Sequence, residues 1–118
     1  MICRIDLTES AESDVENALE WIRRRSEEEA ANWLDAFESS LASLENLPNR
    51  CPIARETHSF LIDIRNLFFG KGSLQYRIIF GISVDENSGE DVVTIYRVRN
   101  SMQRPLSGSE IFGATDDI

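Results

Sequence analysis

The residues best suited to chemistry in this chain are its arginines. Eleven of the twelve basic residues are arginine, and Lys71 is the sole lysine. A guanidinium keeps its charge at any physiological pH and presents a planar fork that grips phosphate or carboxylate at two points. Arg65, Arg77, Arg97, Arg99 and Arg104 all fall in the second half of the chain, several of them at strand-like spacing. Gathered on one face of a sheet, they would form an anion site able to stabilise developing negative charge. The same side chains would equally keep sheet edges soluble. The residues alone leave both readings open.

Other chemistry is thin. The single histidine, His58, lies in a stretch with no clear periodicity, where a lone imidazole is more often exposed than a general base. Cys3 and Cys51 form neither a CxxC pair nor a metal-ligand spacing, and neither has a neighbouring histidine to make it a nucleophile. Both are expected to be free thiols. The acids Glu27–Glu29 suit a helix cap and are not spaced to hold a metal. No phosphate-binding GxxxxGK[ST] loop, HExxH or GxSxG motif occurs.

Period-two alternation over Ile2–Leu7 predicts a first strand. Thr8 and Ser10 both suit an N-cap for the helix that follows, whose apolar stripe is Ala11, Val15, Ala18, Leu19 and Ile22. Arg23, Arg24 and Arg25 close it, where cations oppose the negative end of the macrodipole. Ser26 with Glu29 forms a capping box that opens a second helix running to about Asn46. Its stripe is Ala30, Trp33, Leu34, Phe37, Leu41 and Leu44. With almost no linker, the two helices should form an antiparallel hairpin. Pro48 and Pro52 end the second helix.

Residues 53–63 read as a loop. Three strands are then predicted: Ile64–Phe69, Leu74–Val84 and Val92–Arg99. They are joined by turns at Gly70-Lys71-Gly72 and at Asp85–Gly89. The order β-α-α-β-β-β predicts an α+β domain, a helical hairpin packed on a mostly antiparallel four-stranded sheet. It spans residues 1–104, with a flexible tail over 105–118. Alternation places Tyr76, Ile78, Phe80 and Ile82 towards the helices, and Arg77 on the other face. On the last strand it assigns Val92, Thr94, Tyr96 and Val98 to the core. That leaves Arg97 and Arg99 beside Arg77, with Arg65 and Arg104 able to join them.

The chain has 118 residues and a formal net charge of −9. That total disfavours a generic nucleic-acid coat or a basic membrane binder. It is unevenly distributed. Residues 1–46 carry four arginines against twelve acids, whereas residues 47–104 carry eight basic residues against six acids. The acidity belongs to the helical half, and the sheet is arginine-rich. No apolar run reaches the ~18 residues of a membrane span. The N-terminus lacks the basic-then-apolar order of a signal peptide, so the expected compartment is the cytoplasm.

Several segments resemble the RelE/ParE superfamily of type II toxin–antitoxin toxins, also called plasmid stabilisation proteins. Ser10–Val15 resembles the opening of the family's first helix, and Leu44–Pro48 the end of the second. Ile64–Leu67 followed by Gly70 resembles its second strand. Gln75-Tyr76-Arg77-Ile78-Ile79-Phe80 is similar to its Tyr-Arg-[Ile/Val]-x-[Tyr/Phe] strand, and Val93–Asn100 to its last. The resemblance implies growth inhibition by a toxin that a cognate antitoxin neutralises by laying an extended or helical segment across sheet and hairpin. A toxin–antitoxin hetero-oligomer is one form this could take. No cofactor, metal or membrane is implied.

Two activities exist in the family: ParE-like inhibition of DNA gyrase, and RelE-like cleavage of mRNA on the ribosome. For the second, Arg77 and Arg104 are the catalytic candidates. Arg65, Lys71, Arg97, Arg99 and Asn100 are the target-binding candidates. Asn100 stands where many members have a histidine, and Ser101–Arg104 stands where a dibasic ending is common. With the acidic total, these departures favour a ParE-like toxin over an mRNA endonuclease. A non-toxic interaction module is the further alternative.

Overall fold

The computed structural model describes residues 3–46 and 64–103. Its elements are β1 (Arg4–Leu7), α1 (Glu9–Arg23), α2 (Glu27–Leu44), β2 (Arg65–Phe69), β3 (Tyr76–Val84) and β4 (Asp91–Asn100). A short 3-10 turn, Gly72–Leu74, precedes β3. The four strands form one mixed sheet in the order β1-β4-β3-β2. β4 runs antiparallel to β3, and β3 to β2, whereas β1 lies parallel to β4. A parallel pair needs a crossover, and the helical hairpin supplies it. The predicted loop over 53–63, the proline ending of α2, Cys51, His58, Arg104 and the tail lie outside the described residues.

Local chemistry sets the helix boundaries. Thr8 is the N-cap of α1, its hydroxyl accepting from the Ala11 N–H at 3.1 Å. Ser26 caps α2 through the Glu29 N–H at 3.1 Å. Half of the predicted capping box therefore forms. The Ser26 N–H donates instead to the Ile22 carbonyl at 2.9 Å, which joins the end of α1 directly to the start of α2. Between sheet and hairpin lies a core of Ala11, Ala18, Ile22, Trp33, Phe37, Leu44, Phe69, Ile78, Phe80, Val93, Ile95 and Val98. Trp33 anchors one end, with ring centroids of Phe37, Phe69 and Tyr76 at 6.0, 5.2 and 5.1 Å. Aromatic pairs of this kind add ~0.5–1.5 kcal/mol each beyond their burial.

β3 follows the predicted alternation, but β4 does not. Val93 and Ile95, expected on the far side, are fully buried in the core, and Tyr96 is excluded from it. The cause is a bulge. Ile79 pairs with Arg97 and Phe80 with Ile95, so Tyr96 has no partner of its own on β3. One extra residue shifts the side-chain phase by one. The pattern inverts before Tyr96 and holds after it: Val98 faces the helices, while Arg97 and Arg99 share register pairs with Ile79 and Arg77 on the other face. Gly81 makes the bulge possible. A Cβ there would stand 3.1 Å from Cε2 of Tyr96, so the bare glycine leaves room for the ring.

The turn before β3 needs Gly70. Its φ is 85°, and a Cβ would meet the Leu74 carbonyl oxygen. The turn before β4 is built by Asp85, whose Oδ1 accepts from the N–H groups of Asn87 (2.8 Å) and Ser88 (3.2 Å). Arg4 on β1 reaches across to Asp85 and Glu90 and ties that turn to the sheet edge.

Candidate functional site

The sheet brings together the central part of the predicted arginine set. Arg77 and Arg99 are direct partners across β3 and β4, and Arg97 follows two register pairs along, on the same face. Arg65 is different: it pairs with Phe80, whose side chain is core, so β2 sets Arg65 on the helix side of the sheet. Lys71 is exposed on the β2–β3 turn, apart from the others.

This face is not the open concave surface that alternation suggests. Arg77 is only 1% exposed, and its Nη1 donates to Asn66 Oδ1 at 3.3 Å. Asn66, Ile64, Ile79 and Val92 on the same side are buried as well. A guanidinium withdrawn from water this far is held by the fold, since an uncompensated buried charge costs several kcal/mol. Tyr96 lies on this face over Gly81, and its burial raises the phenol pKa, so it stays a neutral hydroxyl at physiological pH.

Arg97 is clamped. Its Nε and Nη2 donate to the two carboxylate oxygens of Asp14 on α1, at 2.7 and 2.9 Å. The same carboxylate accepts the Val98 N–H at 2.9 Å. This is where the β1 pairing of β4 has ended, since β1 reaches only to Ile95. Asp14 thus takes the place of the missing strand and fixes the bulge to α1. Thr8 completes the seal upstream: its N–H donates to the Ile95 carbonyl (3.0 Å) and its hydroxyl to the Tyr96 carbonyl (2.9 Å).

Asn100 closes the turn that ends β4. Its Nδ2 donates to the Ser73 carbonyl at 2.8 Å, and its Oδ1 accepts the Met102 N–H at 2.9 Å. Ser101 adds a backbone bond to the Gln75 carbonyl at 2.9 Å. Tyr76 packs beside this turn. Burial raises its pKa, against the opposing effect of its hydrogen bond with Asn100. The amide at position 100 is thereby engaged in holding the turn.

This geometry, the order of elements and the exit of β4 all fall within the span that matches a known family. Residues 5–105 match the family described as ParE toxin of type II toxin-antitoxin system, parDE.

The chain belongs to the ParE toxin family.

The match covers both helices and all four strands except Arg4. No curated protein matches closely enough to add a relative to it. This member of the family is built on the mixed sheet described above, with Arg77 and Arg99 paired across its two central strands. Among the described residues no group of three His, Cys, Asp or Glu side chains is placed to hold a metal, and no helix is long and apolar enough to cross a membrane.

Two features of this site were not anticipated from the sequence. Asp14 had a signal: it sits within the apolar stripe of α1, three residues after Ala11 and four before Ala18, where an acid must find a buried partner. The Tyr96 bulge had another: Val93, Ile95 and Val98 change spacing from two to three, opposite a mid-strand glycine.

Proposed function

We propose that this chain is the toxin of a ParE-type pair, that it arrests growth by inhibiting DNA gyrase, and that a cognate antitoxin neutralises it in the cytoplasm. The family match supports a toxin. One observation favours gyrase over messenger RNA. Three of the groups that an RNA-cutting site would draw on are engaged within the fold: Arg77 is buried, Arg97 is paired with Asp14, and Asn100 holds a turn. A nuclease must aim cations and an acid–base pair at the reacting phosphate. A protein that works by binding needs only a surface.

Arg77 and Arg99 keep the sheet centre together on this reading, and Lys71 remains an exposed contact for the target. Inducible expression tests it. The expected result is growth arrest with filamentation while protein synthesis continues, relieved by co-expression of the antitoxin. Immediate loss of translation would support the RNA-cutting alternative. Unimpaired growth would support the interaction module without toxicity.

A further inference from the structure

Along α2, Glu29, Asn32, Trp33 and Ala36 stand at i, i+3, i+4 and i+7 and so share one face of the helix. Across from that face lie Gly70, Lys71 and Leu74 at the β2–β3 turn, and the two sides enclose a cleft of about 400 Å³. That volume falls within the ~300–1,000 Å³ of sites that hold small ligands. Gly70 sets the turn wall. At φ 85° it folds Leu74 back so closely that a Cβ would meet the Leu74 carbonyl oxygen.

The lining divides by chemistry. Trp33, Ala36 and Leu74 supply apolar surface, with Trp33 buried and the other two half-buried. Glu29, Asn32 and Lys71 supply polar groups, and all three are exposed. The two charges are of opposite sign, one on the helix and one on the turn. Among the described residues no ion pair joins them or takes either one, although both line the same cavity. Opposite charges that flank an apolar surface without closing on each other leave room for a group that answers both.

We propose that this cleft binds a small zwitterion with an apolar body, of the chemical class of a free apolar α-amino acid. Its carboxylate pairs with Lys71, its ammonium with Glu29, and its side chain packs against Trp33, Ala36 and Leu74. Asn32 adds an amide that can donate to the one group or accept from the other. Charge selects this occupant. A phosphate chain meets Glu29 as well as Lys71. A simple cation is the stronger rival, because Glu27 and Glu28 precede Glu29 in the first turn of α2, but it leaves Lys71 unanswered and brings a like charge towards it. The binding needs neither antitoxin nor gyrase, so a failure of the gyrase reading leaves it untouched.

Titration calorimetry of the full chain with L-leucine tests the proposal. The expected result is saturable binding with a Kd of about 0.1–1 mM. Leucinamide, which lacks the carboxylate, and N-acetyl-leucine, which lacks the ammonium, should each bind at least tenfold more weakly. Glycine, which lacks the apolar body, should do the same. Glu29→Gln and Lys71→Gln alter exposed side chains outside the core, and near-ultraviolet circular dichroism verifies that both variants keep the native packing. Each should weaken leucine binding at least tenfold. No saturable leucine binding below about 10 mM would overturn the proposal. So would unchanged affinity in either variant, or leucinamide or N-acetyl-leucine binding as tightly as leucine.

Discussion

Removing the Asp14 carboxylate should loosen the attachment of α1 to the sheet more than any other single polar change on that face. The side chain makes three hydrogen bonds at 2.9 Å or less, two to Arg97 and one to the Val98 N–H. The pair is largely withdrawn from water, with side chains 19% and 14% exposed. Exposed ion pairs are worth ~0–1 kcal/mol, whereas breaking a fully buried pair costs ~3–5 kcal/mol. A bidentate pair near the buried end, together with a β-strand N–H left without its acceptor, places Asp14→Ala at about 3 kcal/mol of lost stability. In urea, with a slope of about 1.5 kcal/mol/M, the midpoint should fall by roughly 2 M. Asp14→Asn keeps an acceptor for Val98 and loses the charge, so its cost should be near half. A double-mutant cycle with Arg97→Ala should return a coupling of about 1–3 kcal/mol. Losses below 1 kcal/mol for both Asp14 variants, with coupling under about 0.3 kcal/mol, would refute the clamp.

Further expectations concern the turns and the bulge. Gly70→Ala places a Cβ against the Leu74 carbonyl at φ 85° and should cost about 2 kcal/mol or more, whereas Gly89→Ala, at φ 74° with open space around it, should cost only about 1 kcal/mol. Thermal unfolding of the two variants ranks them, and equal losses would contradict the contact. Gly81→Ala should destabilise by about 1 kcal/mol through Tyr96 Cε2 at 3.1 Å, and Tyr96→Ala should remove that penalty in the double variant. Asp85 has its pKa held down by the Asn87 N–H first, then by Arg4 and the Ser88 N–H. A depressed carboxyl contributes stability above its unfolded pKa of about 3.9 and loses it as pH falls through the lower folded value. The difference between the native chain and Asp85→Asn should therefore shrink below about pH 4, and a constant difference from pH 7 to pH 2 would argue against it.

Much of the architecture was legible because it depends on local rules. Thr8 and Ser26 act as caps, the helical stripes bury the side chains their spacing marks, and β3 keeps a strict alternation with Ile78 and Phe80 inside. The parallel seating of β1 on β4 was not legible, since only tertiary packing decides which strand a short N-terminal segment joins. Period-two reasoning failed on β4 because it assumes an uninterrupted ladder, and the extra residue at Tyr96 inverts the phase of everything before it. The arginine set was legible as composition but not as exposure. Residue type says that Arg77 and Arg97 can grip an anion. It does not say that the anion gripped by Arg97 is Asp14, or that Arg77 is buried beside Asn66.

Inhibition of gyrase through a binding surface, with the sheet arginines cutting no RNA, is the activity proposed for this ParE-family chain. Purified protein added to a DNA gyrase supercoiling reaction tests it most directly, with translating ribosomes and mRNA run alongside. Dose-dependent loss of supercoiling with intact mRNA is the expected result. Unaffected supercoiling together with mRNA cleaved in the ribosomal A site would contradict it.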